Sequence, residues 1–212
     1  MVGEAVKACG ALHLALVTPG YSDEAIAAQY YYARAIPLLH LHSSNPTTQH
    51  TETCAVIATI NLVFNIMSGK RMTEHISTAR ACIQRCGWNA LSSGLAGACF
   101  WFNVGIDALH CAMCHSPVTW HPDRWKYDLP DRIILPQKGR LAPGAWMHSI
   151  IYIMAQSINA RSAHNTGAAG LAQRRKLVLF QRCEWWKVFT PRAMQPLGKL
   201  DFGHQRWMAN PG

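Results

Sequence analysis

The chain has 212 residues, 50% of them hydrophobic and 15% charged, which excludes a segment too short or too polar to bury a core. Charge this sparse implies much buried surface, or a piece of something larger. The net charge of +9 lies wholly in the second half, where residues 120–212 hold fourteen Lys/Arg against five Asp/Glu, while residues 1–119 hold six of each.

The patterning is helical almost throughout. Residues 4–17 are apolar at helical spacing and stop at Thr18-Pro19-Gly20. Ser22 with Asp23 and Glu24 reads as a cap with acids in the first turn, opening a helix to about His42. Pro37 lies inside it, so a kink or break is expected near Ala35. Ser43 to His50 reads as a loop. A third helix follows, from Thr51 to about Met67, broken by Ser68-Gly69. On a fourth, Met72, Ile76, Ala79, Ile83 and Cys86 form a stripe, and Gly87 has the place of a left-handed cap.

A central hydrophobic helix is expected over about residues 92–114, with Leu95, Cys99, Phe102, Ile106, Leu109 and Met113 in one stripe and Phe100, Val104, Ala108 and Cys111 in another. A helix apolar nearly all round is central in a bundle or crosses a membrane. Asn103, Asp107 and His110 interrupt the only window of spanning length, and mid-span charge is costly, which favours the bundle. Residues 116–145 read as a long ordered connection, followed by helices over about 146–162 and 170–189. The expectation is an all-α fold, a single helical bundle of six or seven helices over residues 1–198, with 199–212 as an irregular tail. The eight cysteines sit mostly in apolar patterns and no export signal precedes them, so a reducing intracellular compartment with free thiols is expected.

Cys111-Ala-Met-Cys114-His115 has the spelling of a c-type haem attachment site, but it ends a hydrophobic helix where Cys111 faces the core. Cys82-x3-Cys86 puts two sulfurs on one helix face, read as core packing. Met67-Ser-Gly-Lys70 lacks the first glycine of a phosphate loop, Phe64 standing in its place. Arg174-Arg175-Lys176, the only basic run, reads as a solvated helix face. Asp107 requires a structural partner, since an unpaired buried carboxylate is expensive; Arg80 and His75 on the preceding helix are the candidates. Trp120-His-Pro-Asp-Arg-Trp125 sets two indoles around a short turn, read as closing the end of the bundle.

Three signatures, in order, point to a family: His75-Ile-Ser-Thr-Ala79-Arg80 with Ile83 and Gly87; Cys99-Phe-Trp101 with Asp107, then Trp120-His-Pro122-Asp-Arg-Trp125; and Glu184-Trp185-Trp186 with Pro191-Arg-Ala-Met194-Gln-Pro196. Their order over residues 4–197 resembles the regulatory domain, the fungal-specific transcription factor domain, of the fungal zinc-cluster transcription factors. The resemblance implies an all-α regulator in the nucleus that controls transcription through other transcription proteins, self-association or a small effector, and that is not an enzyme. It implies zinc only in a separate six-cysteine DNA-binding module. That module needs paired Cys-x2-Cys units on a basic segment, and this chain has one such unit, in a neutral helix, so DNA contact is expected only indirectly and the chain is read as truncated. No catalytic, cofactor or metal residues carry over. An effector pocket is placed near Trp101 and Trp120. The rival readings are a haem or metal redox protein using Cys111, Cys114 and His115, a helical enzyme with a dispersed site, and a nucleic-acid binder using the basic half.

Overall fold

The structure, a computed structural model, describes residues 2–18, 20, 22–44, 48–70, 73–127, 143–164, 169–189, 198–202 and 205–209. It is all-α in its body. Seven helices, α1 (Val2–Val17), α2 (Ser22–Ser44), α3 (Thr48–Met67), α4 (Thr73–Arg85), α5 (Gly94–Met113), α6 (Pro143–His164) and α7 (Ala169–Phe189), precede a short hairpin, β1 (Gly198–Phe202) and β2 (Gln205–Ala209). The strands pair antiparallel, Gly198 opposite Ala209 and Phe202 opposite Gln205. They lie in the segment expected to be irregular. Five residues a side leave too few alternations for a period of two to stand out.

The chain divides into two compact units, Met1–Asp107 and Ala108–Gly212, and α5 runs continuously through the division. In the first unit α1 packs on α2 and α3, α2 on α3, and α3 on α4. Its core joins Ala8 and Leu12 of α1, Ala28 of α2 and Phe64 of α3. Small residues dominate the α1–α2 contact: Ala5, Ala8, Ala28 and Ala35 are fully buried, so the two helices approach closely. Tyr32 stacks on Phe64, ring centroids 4.3 Å apart, and its hydroxyl accepts from Asn65 Nδ2 at 3.0 Å.

The helix stops follow the glycines. After α3, Gly69 has φ +65, with Gly69 N–H donating to the Ile66 carbonyl and Lys70 N–H to the Asn65 carbonyl; after α4, Gly87 has φ +69, with Trp88 N–H reaching back to the Ile83 carbonyl. Both are left-handed caps that satisfy the last carbonyls of the helix. Helix α2 passes through Pro37 without a break. Pro37 and Ala33, whose carbonyl loses its helical donor, both lie on the exposed side, where water replaces the missing N–H. The loop expected from Ser43 to His50 is shorter, since α2 extends to Ser44 and α3 begins at Thr48.

Of the two stripes on α5, the inner one is Phe100, Val104, Ala108 and Cys111, joined by Trp101, Asn103 and Asp107. The other stripe is mixed: Leu95 is 62% and Met113 58% exposed, while Cys99 is buried at 3%. By length and composition α5 is apolar enough to cross a membrane, and half of that window is buried inside the protein. At Gly97 a Cβ would overlap the Ser92 carbonyl oxygen, so the turn into α5 admits only glycine there.

In the second unit α6 packs on α7 and touches the 3₁₀ turn Pro122–Arg124. Residues 128–142 of the expected connection lie outside the described residues.

Phe64→Ala removes the ring around which three helices meet, and urea unfolding is expected to show a loss of about 3–5 kcal/mol. Leu95→Ala, on the outer side of α5, is expected to stay within about 0.5 kcal/mol. Equal losses at the two positions would show that the core is misplaced.

Candidate functional site

Asn103 and Asp107 lie four apart on α5, at 0% and 2% exposure. Ile76 and Arg80 lie four apart on α4 and face them. Asn103 Nδ2 donates to the Ile76 carbonyl at 3.1 Å, and Arg80 Nη1 stands 3.9 Å from Asp107 Oδ1. Arg80 therefore occupies the place expected of a partner for Asp107. His75, the other candidate, is partly buried, and burial pushes its pKa below the ordinary value; Glu74 opposes this and Lys70 adds to it. The arrangement neutralises a charge inside apolar surroundings and sets where α4 lies along α5. Trp101, at 5% exposure, meets Phe100 edge-on with centroids 5.3 Å apart.

The end of α5 holds the Cys-x-x-Cys-His spelling. Cys111 is buried at 2% exposure, while Cys114 is exposed. His115 has φ 55, and Ser116 N–H donates to the Cys111 carbonyl at 3.0 Å. His115 is thus the left-handed cap residue that ends the helix, an unusual role for a residue with a Cβ. Cys114 Sγ lies 3.8 Å from His110 Nε2 and 3.9 Å from Nδ1. The two sulfurs face different surroundings, Cys111 the core and Cys114 the solvent. Among the described residues no three His, Cys, Asp or Glu side chains are grouped closely enough to hold a metal ion.

The second unit is built on aromatic rings. Trp120 is 6% exposed and Trp125 is fully buried. Trp125 Nε1–H donates to the Trp120 carbonyl at 2.9 Å, closing the turn on itself. The Trp125 ring meets Tyr152 of α6 edge-on at 5.8 Å, and Tyr127 meets the same ring at 5.1 Å. The Tyr127 and Ser149 hydroxyls are 3.0 Å apart, and Asn159 of α6 accepts from Val118 N–H at 3.0 Å. Further along, Trp146 stacks on Trp185 at 5.2 Å, and Trp186 Nε1–H donates to the Trp146 carbonyl at 3.1 Å. Both indoles of the Trp120–Trp125 segment pack down, so Trp101 and Trp120, expected beside an effector pocket, are each a core ring of their own unit. The Pro191–Pro196 part of the third signature lies outside the described residues.

Cys82 and Cys86 of α4 lie near Cys54 of α3. Burial pushes the Cys82 thiol up, with a smaller contribution from Cys54, and pushes Cys86 up to about 11, with Glu52 and the other thiols adding to the effect. Burial also raises Cys99. Thiols held protonated in this way are poor nucleophiles.

The polar groups that sequence reasoning missed are the asparagines. Asn65 Nδ2 bonds the Tyr32 hydroxyl and the Asn61 carbonyl, the latter at 2.7 Å. Asn61, at 2% exposure, has no side-chain hydrogen-bond partner among the described residues. The pattern was visible as polar pairs four apart in otherwise apolar helices, Asn61 with Asn65 and Asn103 with Asp107.

Comparison with family models, with curated proteins and with solved structures gives no match.

Cys114 is expected to react first when the folded protein meets iodoacetamide near pH 8, while Cys54, Cys82, Cys99 and Cys111 react only after unfolding. Peptide mass mapping reads the order, and a Cys111 as fast as Cys114 would contradict the buried placement. Burial lowers the pKa of His148 as it does His75. The unfolded chain takes up protons near the ordinary value of 6.5, ahead of the folded one, so stability is full above that pH and falls as the pH drops through it. Urea midpoints measured from about pH 7.5 to 5.5 are expected to decline, and His148→Gln to flatten the decline.

Proposed function

We propose that this chain is a helical regulatory domain of the kind found in fungal zinc-cluster transcription factors, acting in the nucleus through contacts with other proteins. The all-α body agrees with this reading. The observation that carries it is that some described residues of each signature join one element to another. Arg80 and Asp107 tie α4 to α5, Trp120 and Trp125 lock the turn onto α6, and Trp185 and Trp186 fasten α7 to Trp146. A regulator of this class works by shifting between packings as partners bind. The outer side of α5, with Leu95, Leu109 and Met113 exposed, offers apolar surface for such contacts.

Fusion of the chain to an unrelated DNA-binding module tests the proposal in a reporter assay. The fusion is expected to change reporter output several-fold relative to the module alone. A helical, nuclear fusion protein that leaves output unchanged overturns the reading.

A further inference from the structure

Within α3, every residue from Cys54 to Asn65 is buried except Ile60 and Val63. Asn61 sits in that stretch at 2% exposure, and neither its Oδ1 nor its Nδ2 has a hydrogen-bond partner among the described residues. At about 100° per residue, Asn61 lies between Phe64 and Asn65 around the helix axis. Both of those meet the α1–α2 pair. Phe64 joins Ala8 and Leu12 of α1 and Ala28 of α2, and Asn65 Nδ2 donates to the Tyr32 hydroxyl. The orphaned amide is therefore on the side of α3 that α1 and α2 cover.

The two covering helices have ties of their own. Glu4 Oε2 lies 3.4 Å from Arg34 Nε, and the Lys7 ammonium lies 5.4 Å from the centre of the Tyr31 ring. Their hold on α3 is lighter. The residues that α1 buries are Ala5, Ala8 and Leu12, which bring little apolar area. The Cys9 thiol, a weak donor, reaches the Ile60 carbonyl at 3.4 Å. Tyr32 supplies the firmest contact, stacked on Phe64 and bonded to Asn65, with the Lys70 ammonium 5.2 Å from its ring centre. Against these contacts stands Asn61. A buried amide with both groups unpaired has lost its hydration and gained nothing in exchange, and that cost falls on the closed arrangement alone.

We propose that α1 and α2 form a lid on α3, and that the unpaired amide of Asn61 keeps a minor open state populated. In that state the two helices leave α3 together, ahead of global unfolding, and Asn61 is hydrated. Opening also uncovers Phe64, so the lid sets when the apolar side of α3 is accessible. This inference is independent of the transcriptional reading, and its test reads the motion and not the reporter.

Amide hydrogen exchange of the full chain, followed by mass spectrometry of its peptides, tests the proposal. Once undocked, helices of this length are marginal in water, so their amides exchange. Peptides from α1 and α2 are expected to exchange at one common rate, about ten-fold or more faster than those from α3 and α4. Asn61→Leu keeps the branching of the side chain without its polar atoms. It is expected to slow exchange across α1 and α2 by about ten-fold or more. Should Asn61→Leu fold poorly, Asn61→Val, smaller and equally apolar, gives the same reading. Exchange in α1 and α2 as slow as in α3 overturns the proposal, as does a rate in α1 and α2 that a folded apolar variant leaves unchanged.

Discussion

A carboxylate buried inside an apolar helix is the constraint around which the first unit is arranged. Asp107 is 2% exposed, and a charge in that position is tolerated only beside an opposite one. Arg80 supplies it from α4, and Asn103, one turn earlier on α5, binds the Ile76 carbonyl. Two contacts one helical turn apart define both a distance and an alignment, which apolar packing alone specifies poorly. The left-handed cap at Gly87 and the tight turn at Gly97 then carry the chain from one helix into the other.

The second unit is fastened differently. Its joints are indole N–H groups donating to backbone carbonyls and rings meeting edge-on or stacked, with little charge involved. A tryptophan buried with its one donor satisfied contributes a large area and one fixed direction. The Trp125 bond to Trp120 holds a short turn closed, and the same ring reaches α6, so a six-residue loop organises a helix distant in sequence. Arg182 of α7 adds one polar joint, donating to Gln156 Oε1 of α6 at 2.7 Å.

The helices were legible where the chain punctuates itself. Gly69 and Gly87 end helices as their positions suggest, and the acidic first turn of α2 marks its start. Legibility failed where composition misleads. Serine, threonine and glutamine around residues 43–50 look like loop, yet both neighbouring helices extend into them, because propensity is a weak prior. Pro37 led to the expectation of a kink or break near Ala35, and the helix continues through it. Which stripe of α5 faces inward was undecidable from hydrophobicity, since both are apolar; the asparagine and aspartate beside one of them settle it through partners on another helix. The pairing of Asp107 with Arg80 was visible as a need. The fate of Trp101 and Trp120 was not, because a sequence shows that rings are present and not which neighbours already occupy them.

The thiols have a consequence for how the protein survives stress. None of the eight cysteines is in a disulfide, four of them are buried, and burial keeps several protonated and unreactive. That protection lasts only while the fold does. Once the chain opens, its sulfurs regain ordinary acidity together, and an oxidising medium can join them in combinations that bar the way back. Its durability outside a reducing milieu is thus governed by how seldom it opens, and by the clock of oxidation more than by any equilibrium.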